Sequence, residues 1–201
     1  MPTIDHANKE ITCKIVYYGP GLCGKTTNLE VIHRDVSGQD KSSMVSLATE
    51  QDRTLFFDFL PVELGQIKGF RLKFQLYTVP GQVYYNATRK LVLSGVDGIV
   101  YVADSQRSKY QENVAMMENL VENLLEYGMK LDDVPMVIQY NKRDLPDISS
   151  IEELEKTLNP NGLPYLESVA VDGVGVSETL RTIAKETLAR IGKRGNRARK
   201  G

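Results

Sequence analysis

The stretch ITCKIVYYGPGLCGKTTNLEVIHRDV, residues 11–36, decides the fold. Its opening, Ile11–Gly19, is apolar, rich in β-branched residues and closed by a glycine, which reads as a buried strand. Its end, Thr26–Val36, sets Leu29, Ile32 and Val36 at helical spacing. Between them GPGLCGKT (Gly19–Thr26) fits the pattern G-x-x-x-x-G-K-[ST] in full, in the strand–loop–helix context that gives the pattern its meaning. Glycines let the backbone wrap closely around a phosphate with several N–H groups turned inward. The helix that follows offers its N-terminal donors and dipole to the same anion. The candidate phosphate contacts are Gly19, Gly21, Leu22, Cys23, Gly24, Lys25, Thr26 and Thr27. Lys25 is placed to reach the β- and γ-phosphates of a nucleotide, and the Thr26 hydroxyl to meet Mg2+. Cys23 reads as a small space-filling residue of the loop.

Outward from this stretch, strands alternate with helices. TLFFDFLPVEL (54–64) reads as a strand stopped by Pro61, and GFRLKFQLYTV (69–79) as a half-buried strand antiparallel to it. A helix is expected over 84–94, a buried strand over 98–105, and a long helix over 111–127 with Val114, Met117, Val121, Leu124 and Leu125 on its inner face. Then come a buried strand (134–141), a short helix (151–158), a strand in PYLESVAV and a helix over 177–191. This order implies an α/β domain: a six-stranded, mostly parallel sheet flanked by helices on both faces. Residues 1–192 form one domain, and 193–201 a basic tail expected to be disordered. Ligands of such sheets bind beyond the carboxyl ends of the strands, so the loops after Tyr18, Val79, Ser105, Tyr140 and Val169 should share one rim.

Composition narrows the function. The chain has 201 residues, and no apolar run approaches a membrane span of roughly 18 residues. MPTIDHANKE is polar and acidic, unlike a secretory signal, and Pro2 excludes the myristoylation pattern. The chain ends without a lipidation cysteine. Two cysteines and no signal suit a reducing cytoplasm. The net charge of −1 conceals five cations in the last nine residues; without them, 20 cations face 26 acids. The acidic body excludes nucleic acid as a partner by charge. The tail reads as a solvated end, or as an electrostatic contact with an acidic partner, filament or membrane surface.

The strand over 134–141 ends in NKRD, Asn141–Asp144. A carboxylate at Asp144 can accept from N1–H and the exocyclic amine of guanine, a donor pair that adenine lacks. Asn141 can bond both the loop and the purine edge, and the aliphatic stem of Lys142 can cover the base. Ser168, Val169 and Ala170, after the last strand, are candidates to offer backbone N–H groups to the guanine oxygen. LYTVPGQ (76–82) places Gln82 just past Pro80 and Gly81 on the same rim, where its amide could orient an attacking water. His6 and His33 read as surface residues.

The motifs GPGLCGKTTN, ATEQDRTLFFDFLP, LYTVPGQ and NKRDLP, in this order over about residues 10–192, resemble those of the Ras-like small GTPases, and among them the bacterial MglA-type gliding and polarity GTPases. That resemblance implies a GDP/GTP switch with bound Mg2+ and a homodimeric roadblock-domain regulator of the MglB type. It implies downstream polarity or motility effectors and a cytoplasmic protein recruited to a cell pole. It assigns Gln82, with Lys25, to hydrolysis and Arg53 to stabilising transition-state charge, and it counts Gly81 among the nucleotide-binding residues. Thr54 is the candidate switch threonine on Mg2+, with Thr49 its competitor. One position departs from most small GTPases: Thr78 stands where an aspartate usually helps hold the metal, a departure similar to that of MglA-type proteins. A hydroxyl can still accept from a metal-bound water, at a cost of roughly 1–1.5 kcal/mol, about tenfold in affinity. Asp58, on the neighbouring strand, either supplies the missing carboxylate or faces outward. Two functions remain open: a slow, partner-regulated GTP hydrolase, or a nucleotide-bound interaction module with negligible turnover.

Overall fold

The structure, a computed structural model, describes residues 2–36, 44–46 and 57–198. Arg53, Thr54 and Thr49 lie outside the described residues.

Among the described residues eight strands form one sheet: β1 (Thr3–Asp5), β2 (Glu10–Tyr18), β3 (Val45–Ser46), β4 (Asp58–Ile67), β5 (Phe70–Thr78), β6 (Gly98–Asp104), β7 (Met136–Asn141) and β8 (Tyr165–Glu167). The order is β3-β4-β5-β2-β6-β7-β8. β5, β2, β6, β7 and β8 run parallel, and β4 lies antiparallel to β5. Six of them, β2, β4, β5, β6, β7 and β8, are those read from the sequence. The other two are short: β1 pairs antiparallel with the start of β2, ahead of the point where β6 joins it, and β3 pairs with Asp58 and Phe59.

Helices cover both faces: α1 (Lys25–Val36), α2 (Asn86–Leu93), α3 (Tyr110–Glu126), α4 (Ile151–Leu158) and α5 (Val176–Ala198). Side chains alternate across β2, so Cys13, Ile15 and Tyr17 pack with Leu29 and Ile32 of α1 and Ile183 of α5. Val16 and Tyr18 pack on the other side with Leu93 of α2, Leu120 of α3 and Leu154 of α4. β6 and β7 are buried along their whole length, as strands covered on both faces must be.

Three expectations change. Pro61 does not stop its strand: β4 runs from Asp58 to Ile67, with Pro61 opposite Gln75. The inner face of α3 is turned by one residue. Asn113, Met116, Leu120, Asn123 and Leu124 are buried, whereas Leu125 is exposed. Two asparagines in the apolar stripe hide its phase. Asn113 donates to the Asp104 carbonyl and accepts from the Asp104 N–H, and Asn123 donates to the Tyr18 hydroxyl. Finally, α5 extends through Ala198, so the first six residues of the basic tail are helical.

Candidate nucleotide site

The loops at the carboxyl ends of β2, β5, β6 and β7 meet around a cleft of about 840 Å3. Its walls include Gly21, Gly24, Lys25, Thr26, Thr27, Gly81, Gln82, Asn141, Lys142, Asp144 and Ala170. Residues 120 positions apart in sequence thus face one space.

The phosphate loop has the backbone its glycines require. Gly19 has φ +146°, and a Cβ there would run into the Val102 carbonyl oxygen. Gly24 has φ +106°, and a Cβ would strike the Asn141 amide. Leu22 adopts φ +60° without being a glycine, a conformation that few side-chain-bearing residues hold. Cys23 is fully buried, and burial raises its thiol pKa, which makes it a packing residue. The Lys25 ammonium is folded into the loop, donating to the Gly19 carbonyl at 3.0 Å and the Pro20 carbonyl at 2.6 Å.

At the foot of the loop three oxygen groups converge. The Thr26 hydroxyl donates to Asp58 Oδ2 at 2.6 Å, and the Thr78 hydroxyl donates to the same oxygen at 2.9 Å. The Asp58 N–H donates back to the Thr78 hydroxyl at 2.8 Å. Asp58 is fully buried, so the outward-facing alternative is excluded. Two hydroxyls and a carboxylate are hard oxygen ligands, a set that suits Mg2+. Among the described residues no cluster of His, Cys, Asp and Glu suggests another metal site.

At the far end, Asn141 ties three loops together. Its Nδ2 donates to the Cys23 carbonyl at 2.8 Å, while its Oδ1 accepts from the Ser168 hydroxyl at 3.0 Å and the Ala170 N–H at 2.9 Å. An asparagine side chain can make four hydrogen bonds, and three are spent on protein. The backbone donors of the last loop are likewise engaged within the protein. The N–H of Ser168 goes to the Tyr140 carbonyl, that of Val169 to the Val174 carbonyl and that of Ala170 to Asn141. A buried amide oxygen needs donors, and the loop supplies them. What the loop gives the cleft is the surface of Ala170 and Val171.

Lys142 has φ +65°, and its ammonium lies 2.6 Å from Asp104 Oδ2, an ion contact off the hydrogen-bond axis. Asp104, fully buried at the end of β6, thereby fixes the lysine at the cleft. Asp144 lines the cleft with an exposed carboxylate. Gln82 is exposed at the mouth, carried by a loop in which Gly81 abuts Gly21 so closely that neither a Cβ nor a larger group would fit. Sequence reasoning missed Asp104. The signal was a lone acid ending the apolar strand GIVYVAD.

The Ras family matches residues 14–189. The chain is 54% identical over 195 residues to the mutual gliding-motility protein MglA of Myxococcus xanthus (strain DK1622), covering 97% of this chain and 100% of that protein. It is 26% identical over 183 residues to the Ras-related protein Rab-8A of Pongo abelii, covering 90% of this chain and 81% of the relative. It is 25% identical over 193 residues to the Ras-related protein RABA5b of Arabidopsis thaliana, covering 94% and 81%. The chain belongs to the Ras family and is a small, guanine-nucleotide-binding GTPase of the MglA type.

Proposed function

We propose that the chain is a slow, Mg2+-dependent GTP switch that controls gliding motility and cell polarity and is accelerated by a homodimeric roadblock-domain partner of the MglB type. The observation that carries the hydrolytic reading is that Gln82 opens on the same cleft as Lys25 and Thr26. Lys25 neutralises phosphate charge, and the amides of the phosphate loop hold the phosphate in register. Thr26 would hold Mg2+, which would supply neutralisation of phosphate charge, and Asp58, through its bond to Thr26, would support it in place of the aspartate absent at position 78. Gln82 orients the attacking water, while Gly81 lies against the phosphate loop. Arg53 stabilises transition-state charge from within the chain, and Thr54 adds a hydroxyl to Mg2+. Asp144 reads guanine, with Lys142 lying over the base. The intrinsic rate is on the order of 10⁻⁴ to 10⁻³ s⁻¹, rising when a partner orders Arg53 and Gln82.

Residues 1–192 act as the switch, and the basic end of α5 and the residues after it make peripheral contact with a membrane or filament at a pole. Among the described residues no helix is long and apolar enough to cross a membrane.

The test is phosphate release from GTP with and without a roadblock-domain partner, run beside Gln82→Ala. Slow release that the partner speeds and Gln82→Ala removes supports the switch. Tight binding without release under either condition overturns it in favour of an interaction module.

A further inference from the structure

α2 buries an arginine. Arg89 is only 2% exposed, and a buried guanidinium must find acceptors for five N–H donors. Its Nη1 donates to the Gln82 carbonyl at 2.5 Å and the Pro80 carbonyl at 3.2 Å. Its Nε donates to Asn119 Oδ1 at 2.9 Å. That oxygen also accepts from the Tyr18 hydroxyl at 2.7 Å and from Asn123 at 3.2 Å, and both asparagines donate to Asn86 Oδ1. A network of amides on α2 and α3, with one hydroxyl from β2, holds the guanidinium from behind. In front, the guanidinium holds the two carbonyls that flank Gly81. On the opposite side Gly81 is pressed against Gly21 of the phosphate loop. The segment Pro80–Gln82 is therefore clamped between a buried cation and the phosphate loop, while the Gln82 side chain stays exposed at the mouth of the cleft.

We propose that Arg89 is a positioning residue for GTP hydrolysis, fixing the Gln82 backbone so that its amide samples a short arc beside the phosphate loop. The inference rests on the role proposed above for Gln82. The physical requirement is a fork. One planar guanidinium spans two carbonyls and an amide oxygen at once, whereas a lysine at this position keeps the charge and loses the fork. A small displacement of a positioning group is costly in rate, because catalysis depends on alignment.

The experiment is single-turnover GTP hydrolysis and fluorescent-nucleotide binding on Arg89→Lys, Gln82→Ala and the double variant. The expected result is a rate about tenfold lower for Arg89→Lys, with GTP and GDP affinity within about twofold of the parent. In the Gln82→Ala background, Arg89→Lys should add less than about twofold, because it acts through Gln82. Asn119→Ala, which loosens only the rear anchor, should give a smaller loss of the same pattern and serves where Arg89→Lys does not fold. Three outcomes overturn the inference: a rate within about twofold of the parent, a rate loss that multiplies with Gln82→Ala, or a rate loss matched by lost nucleotide affinity. If Gln82→Ala itself leaves the rate unchanged, the role of Gln82 falls, and that failure is distinct from one in which only Arg89→Lys is silent.

Discussion

Thr78 and Asp58 exchange two hydrogen bonds across adjacent strands: the threonine hydroxyl donates to the carboxylate at 2.9 Å and accepts from the aspartate N–H at 2.8 Å. The pair explains how a hydroxyl can stand at the end of β5 beside the phosphate loop. It also reverses an obvious engineering idea. Thr78→Asp would place a second carboxylate against Asp58 in a buried site, where like charges cannot both ionise cheaply. Thr78→Asp should therefore lower stability by about 1–3 kcal/mol and weaken Mg2+ binding, whereas Asp58→Thr combined with Thr78→Asp should recover much of both. Urea unfolding and Mg2+ titration of nucleotide release measure this; an improved single variant would refute the shared-carboxylate account.

Gly24 has no space for a side chain, because a Cβ would strike the Asn141 amide and its φ is +106°. Gly24→Ala should cost about 1–3 kcal/mol and lower GDP affinity by more than about tenfold, since either the loop or Asn141 must move. Isothermal titration with GDP reads the loss. Retained affinity would show that the loop relaxes without cost.

Asp104→Asn keeps the acceptor that the Gln106 N–H uses at 3.0 Å but removes the charge facing Lys142. The lysine then loses its fixed position over the cleft. GDP should dissociate about tenfold faster, with a much smaller change in thermal unfolding of the nucleotide-free chain. Stopped-flow release of a fluorescent GDP distinguishes this from general destabilisation.

Alkaline pH should unfold the chain through its buried thiols and phenols, Cys13 and Tyr18 among them. Burial, aided by the Asp97 carboxylate, pushes the Cys13 thiol from 9.0 up to about 12. Burial likewise pushes Tyr18 from 10.0 up to about 12. The folded chain keeps these protons where the unfolded chain releases them, so the stability they contribute is complete below pH 9 and lost as pH rises toward 12. Urea midpoints should fall steadily through that window, and Cys13→Ala should flatten part of the slope. An unchanged slope in Cys13→Ala would remove the thiol from the account.

Much of the molecule was legible because its signals are local. GPGLCGKT needs only its own glycines, and NKRD only the strand before it. Asp58 was ambiguous for a physical reason. β4 alternates, and Asp58 shares parity with buried Leu60 and Val62, but the opposite face carries Phe57 and Phe59 packed on Tyr77. With both faces apolar, alternation alone could not say which way the acid points. The α3 face misled because Asn113 and Asn123 are buried for their hydrogen bonds, which no hydrophobic pattern records. The backbone donors of Ser168–Ala170 could not be assigned from sequence, because their acceptors are the Tyr140 and Val174 carbonyls and the Asn141 side chain, which only the fold brings beside them.

Asn141 makes the cleft a single mechanical part. Its nitrogen grips the phosphate loop at Cys23, and its oxygen grips the loop of Ser168 and Ala170. Strain applied at the base end therefore reaches the phosphate end through one side chain. A protein that ejects nucleotide need not attack the tightly held phosphates. Prying the Ser168–Ala170 loop outward would draw Asn141 off Cys23 and slacken the phosphate cradle from behind.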